Sequence, residues 1–289
     1  MRRSNPYRRL SLPPATCAGT NAEPARLKGM PGAAGKIVCA TVLLATGLFA
    51  QGRGGPPGPP KSPREAAPVD LTGYWVSVVT EDWRWRMVTP IKGDFAGVPL
   101  NAAARKIGDA WDPAKDEAAG EQCRAYGAPA VMRIPGRVHI TWQDDNTLKI
   151  ETDAGTQGRL FHFNGKPTAS EKPSWQGYSV ANWEKPLRGE GLPLAGLGAV
   201  REGTKGRSLE VVTTNLRPGY LRKNGAPYSA NTVVDEFYDL SKEANGDTWF
   251  HVTTIVKDPQ YLEEPFVTST DFMKQPDASG WAPSACTAR

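Results

Sequence analysis

Histidine is scarce in this chain, with three in 289 residues, and cysteine is nearly as rare, with four. His139, His162 and His251 stand apart, with no HxH, HExxH or CxxC spacing that would hold a metal ion. No metal and no cofactor are therefore expected, unless ligands distant in sequence assemble in space. Also missing are a GxSxG, a Walker loop and a GxGxxG leading into a helix, so nucleophile-elbow and dinucleotide chemistry have no support. A surplus of one charge is absent as well. The totals of 35 Lys+Arg and 30 Asp+Glu give +5, but residues 1–50 hold seven of the bases and one of the acids, which leaves the remainder at −1. A near-neutral chain has few cations to displace counterions from a phosphate backbone, so nucleic acid is not an expected partner.

What is present begins with a leader. From Met30 the chain reads MPGAAGK, then the fourteen mostly apolar residues Ile37–Ala50, then a polar break. This resembles a secretory signal peptide over 30–50, with translation expected to start at Met30. The run is too short to span a bilayer comfortably, so no stable membrane span is expected after cleavage; an uncleaved anchor is the other reading. Nine of the thirteen residues Gln51–Pro63 are Gly or Pro, and 51–69 reads as a linker. Residues 70–289 read as a single domain. Its two cysteines, Cys123 and Cys286, suggest one disulfide in an oxidising compartment, periplasmic or secreted. The chain-entropy account gives such a long loop up to about 5 kcal/mol.

From Gly73 the chain is dominated by short apolar runs separated by turn residues. Strands are expected near 73–79, 129–135, 137–143, 147–153, 158–163, 176–184, 208–215, 231–238 and 248–256, with one helical stretch, 100–118, broken at Pro113. Short sequential links favour an antiparallel meander. Closure would remove its exposed edges, giving an all-β barrel of eight or nine strands. Alternation sets two registers. Trp142, Ile140 and Val138 should face Leu148, Ile150 and Thr152, with His139 beside Glu151 and Arg137 beside Asp153. A turn at Ala154–Gln157 should then set Ile150 against Phe161 and Leu148 against Phe163, leaving Arg159 inside and His162 outside.

An enclosed Arg159 needs an acceptor: a salt bridge to Glu236 or Asp235, a stack on Trp75, or a ligand. All nine Trp lie beyond the leader. Trp83, Trp85, Trp175 and Trp183 sit in polar contexts suited either to lining a ligand or to capping barrel ends. The expected ligand-binding set is Arg159, Phe161, Trp75, Trp175, Trp183 and Ile150, in a cavity also walled by Val138, Ile140 and Phe163. Glu184, beside Trp183, and Tyr228 are the acid–base candidates if the barrel is an enzyme. The Gly-rich, apolar stretch 188–207 reads as a lid or a surface insertion.

Gly73-Tyr74-Trp75 resembles the GxW that opens lipocalin-like barrels, which implies a Trp closing the barrel bottom beneath a packed Arg. A wider pattern resembles a large family of uncharacterised exported bacterial proteins. It comprises Asp70-Leu71-Thr72-Gly73-Tyr74-Trp75; Cys123, Gly127, Pro129, Met132 and Pro135; Arg159, Phe161 and Asn164-Gly165-Lys166; Pro173, Trp175, Gly177, Ser179, Trp183 and Glu184; Gly225, Pro227 and Ser229; and Asp258-Pro259, Tyr261, Pro265, Phe266 and Cys286. Ala125 and Ala130 replace that pattern's Pro and Arg, and Tyr228 replaces its His. Over residues 70–289 the resemblance implies export, the disulfide and a single domain, with no activity attached.

Together these features predict an exported barrel that binds a small, partly apolar molecule bearing an anionic or carbonyl group. The alternatives are a barrel hydrolase, lyase or isomerase, and an envelope scaffold.

Overall fold

The computed structural model describes residues 59–166, 172–184 and 208–289; the leader, most of the Pro/Gly stretch and the 188–207 stretch lie outside the described residues. The strands are β1 (Gly73–Val78), β2 (Arg137–Asp144), β3 (Thr147–Thr152), β4 (Gln157–Phe163), β5 (Tyr178–Trp183), β6 (Leu209–Thr214), β7 (Gly219–Tyr220), β8 (Pro227–Tyr228), β9 (Val233–Lys242), β10 (Thr248–Lys257) and β11 (Phe266–Gln275). Nine of them close into a barrel in the order β1-β11-β10-β9-β6-β5-β4-β3-β2, and β7 and β8 form a separate ribbon.

All barrel pairs are antiparallel except β4 and β5, which run parallel, so the meander is interrupted once. The β2–β3 register is the one alternation requires, Val138 to Thr152, Ile140 to Ile150 and Trp142 to Leu148. A bulge between Trp142 and Asp144 then lets Asp144 pair with Thr147, a tighter turn than expected. The β3–β4 pairing is shifted by two residues from expectation, with Leu148 opposite Phe161 and Ile150 opposite Arg159. The cause is Asp153. Its N–H still donates to Arg137 O (3.0 Å), but its carboxylate accepts from the amides of Arg137 (2.7 Å) and Ala154 (2.6 Å) and its carbonyl from Ser284 N, so the turn to β4 starts at this residue. Gly155 (φ 79°) and Thr156 (φ 50°) complete it in left-handed backbone. A shift of two preserves facing, so Arg159 is inside and His162 outside.

Two expected elements are corrected. Residues 129–135 hold no strand: helix α4 (Ala128–Val131) starts there, with Gly127 as N-cap and Pro129 in its first turn, where a missing N–H costs nothing. The ninth barrel strand is instead β11. Its inward positions run Phe266, Thr268, Thr270 and Phe272, so two threonines break the apolar alternation that marks a strand in sequence. The helical stretch divides into α2 (Ala102–Ala110), capped by Asn101 accepting from Ala104 N at 3.0 Å, and α3 (Pro113–Ala118), capped by Asp112. A short helix, α1 (Trp83–Arg86), precedes them.

Strand directions define two barrel ends. At the helical end, where β2, β4, β9 and β11 begin, the segment 83–135, the β7–β8 ribbon and residues 258–266 share a second apolar core of Phe95, Leu100, Leu216, Tyr228, Val256 and Phe266. The disulfide Cys123–Cys286 ties this end to the C-terminal tail. At the far end the residues just before β1 lie on the barrel. Pro63 O accepts from Trp183 Nε1 at 2.9 Å, and Val69 packs on the barrel core.

Candidate functional site

The barrel interior is where sequence placed the ligand. Its far-end half is packed by aromatic and aliphatic side chains. Trp75, Ile140, Ile150 and Phe161 are fully buried, with Trp75 edge-on to Phe250 at 4.8 Å and Phe161 against Tyr238 at 5.5 Å. Trp75 Nε1 donates to Leu71 O, and the cation over its ring is Lys274 at 5.0 Å, not an arginine. Each such burial contributes about 1.5–3 kcal/mol, and these contacts are made between protein groups.

The helical half of the interior is polar and equally occupied. Arg159 Nη1 and Nη2 grip both carboxylate oxygens of Glu236, at 2.8 and 2.5 Å. Nη2 also donates to Thr213 Oγ1 (3.2 Å), which contacts Ser179 Oγ at 2.8 Å, and Tyr238 OH donates to Glu236 at 3.2 Å. Burial disfavours the Arg159 cation, but Glu236 and Tyr238 more than offset this and hold its proton more tightly than usual. Of the three acceptors open to Arg159, the chain supplies Glu236.

The acid–base candidates lie apart. Glu184 is at the far end, bordering an open recess with Trp183, Phe163, Asn164 and Glu210. Tyr228 is in the cap core at the helical end, where burial raises its phenol. Its hydroxyl, without a hydrogen-bond partner among the described residues, sits so close to Gly127 that a Cβ there would fall 2.2 Å away. Trp175 is also at this end, its ring 4.6 Å from the Arg217 guanidinium.

A cavity of about 150 Å3 opens beside the helical end, walled by Trp85, Arg86, Arg133 and Arg222, with Pro90, Ile134, Pro135 and Leu221 as apolar surface. All three arginines are more than nine-tenths buried. Arg86 is fully engaged, donating to Arg133 O (3.0 Å), Ser77 Oγ (3.1 Å) and Glu81. Arg133 pairs with Asp82 at 2.8 Å through Nη2. Arg222 has no carboxylate partner among the described residues. It donates to Ala96 O at 2.6 Å and lies 5.2 Å over the Trp85 ring. Three donors in this wall, Trp85 Nε1, Arg133 Nη1 and Arg222 Nε, have no acceptor among the described residues. Burial, and then the neighbouring Arg133 charge, pull the Arg222 guanidinium down to about 10. A desolvated cation with no salt bridge is costly, and an anion in the cavity would relieve it.

Arg86 is held from behind by a row of polar contacts that ends on the outer barrel wall. Glu81 meets Thr80, Thr80 meets Asp271, and Asp271 accepts from His251 Nδ1 at 2.7 Å. Ser241 Oγ lies 3.2 Å from His251 Nε2. Burial works against the Asp271 carboxylate, but the His251 and Thr80 contacts outweigh it and lower its pKa.

Nothing in the sequence singles out Arg133, a lone cation, or Arg222, which sits beside Lys223 in a turn-like Arg-Lys-Asn-Gly. The alternating Trp83-Arg84-Trp85-Arg86 was the one visible sign of this site, and Trp85 does line it. Among the described residues no group of three His, Cys, Asp or Glu could hold a metal ion. No protein-family model, curated protein or solved structure matches the chain.

Proposed function

We infer that the protein binds a small organic anion, with Arg222 as its main counter-charge. The observation that carries this reading is a nine-tenths-buried arginine that lines a cavity and makes no salt bridge among the described residues, with Asp82 and Asp94 acting on it only from a distance. Charge-assisted hydrogen bonds from a planar guanidinium suit a carboxylate or a similar oxyanion. The apolar part of the wall, including the Trp85 ring, suits a hydrocarbon or aromatic body. Volume limits that body, since a cavity of roughly 150 Å3 accommodates a benzene-sized molecule. The ligand class is therefore a compact carboxylic acid of the size of a benzoate. The Cys123–Cys286 disulfide, the signal-like leader and the resemblance to exported bacterial proteins support a role outside the cytoplasm.

Titration calorimetry with a panel of small aliphatic and aromatic carboxylates tests this. Binding should weaken by about 10- to 100-fold in Arg222→Met, the equivalent of one charge-assisted contact of about 1.5–3 kcal/mol. Equal affinity in that variant would refute the assignment.

A further inference from the structure

The segment that supplies Trp85 and Arg86 to the cavity presents a different face to solvent. Trp83, Met87, Val88 and Ile91 are 66, 60, 65 and 67% exposed. The other large apolar side chains exposed among the described residues, Ile107, Leu160, Val212 and Val267, fall singly on α2, β4, β6 and β11. Scattered exposed hydrophobics are ordinary, but four within nine residues form a patch that asks for a partner. The charges around it are mostly paired and leave a cationic remainder. Glu81, Asp82 and Asp94 are engaged by Arg86, Arg133 and Arg84. Lys92, exposed on the segment itself, and Lys223 remain as surface cations against the exposed carboxylate of Asp109 beside Gly93.

We propose that residues 83–92 dock the protein on an anionic lipid surface, with Trp83, Met87, Val88 and Ile91 entering the headgroup–acyl boundary and Arg84 and Lys92 at headgroup level. The composition is that of an interfacial anchor: a tryptophan, flexible and branched aliphatics, and flanking cations. Attraction of surplus cations to anionic headgroups adds to the apolar term and makes it salt-dependent. Docking this way sets the cavity, whose wall shares the segment, beside the lipid surface. The surface stands independently of what the cavity holds.

The test is flotation of the mature chain with vesicles of phosphatidylglycerol mixed with phosphatidylcholine, against pure phosphatidylcholine. The protein should float with the anionic vesicles, several-fold less at high salt, and poorly with the neutral ones. The double substitution Trp83→Ser/Ile91→Ser, at exposed positions that carry no core contact, should weaken flotation by at least about tenfold. Circular dichroism and thermal unfolding of the same variant report whether it is folded, whatever the cavity binds. Absence of flotation, or flotation equal in the folded double variant, overturns the proposal. Capture of a protein partner through these residues without vesicle binding does so too.

Discussion

Replacing Glu236 by Gln perturbs the barrel interior with almost no change in shape. The guanidinium of Arg159, 1% exposed, would keep a hydrogen-bonding neighbour but lose its charged partner among the described residues. Breaking a buried ion pair from one side costs about 3–5 kcal/mol, because the remaining charge stays desolvated. In a domain of this size each kcal/mol lowers Tm by roughly 2–4 °C, so the midpoint should fall by about 6–20 °C. Removing both charges with Arg159→Met/Glu236→Leu should recover most of that. Tyr238 and Thr213 would then lose partners, at about 1–3 kcal/mol. Thermal and urea unfolding of Arg159→Met, Glu236→Leu and the double variant, followed by tryptophan fluorescence, would give the three values needed for a coupling energy. The double variant should also bind small carboxylates within about twofold of wild type, since the proposed site lies outside the barrel. The reasoning fails if Glu236→Gln costs under about 1 kcal/mol, or if the double variant loses as much as both single changes together.

Two further outcomes follow from the same contacts. Arg222 titrates near 10 in the folded, empty protein, and a bound anion would raise that value. Binding therefore takes up a proton above pH 10, and affinity should fall as pH rises through that value; calorimetry in two buffers would register the uptake. Cys123→Ser/Cys286→Ser should lower stability by about 2–5 kcal/mol and loosen the tail from the helical end, as urea unfolding with and without reductant would show.

Much of the barrel was legible because its walls obey a period of two. Val138, Ile140 and Trp142 against Leu148 and Ile150 fixed one hairpin residue by residue, and parity alone put Arg159 inside. What was hidden depends on side chains acting at a distance. Asp153 binding the Arg137 amide moved the next hairpin by two, and no local pattern announces that. Thr268 and Thr270 disguised β11; Thr268 pairs with Thr254, which pairs with Glu236, so a polar row crosses the wall there. The site was less legible than the fold. Arg86, Arg133 and Arg222 are far apart in sequence and meet only because the ribbon and the 83–135 segment share one end of the barrel. Arg159 looked like the ligand's anchor because an enclosed arginine demands an acceptor, and the sequence left open which acceptor it takes.

Native mass spectrometry of the protein, purified without refolding, tests the central claim most directly. A small organic acid retained by the wild-type chain and by Arg159→Met/Glu236→Leu, but absent from Arg222→Met, is the predicted result. Retention of the same mass by Arg222→Met, or its loss only when the Arg159 pair is removed, would contradict the account and return the ligand to the barrel interior.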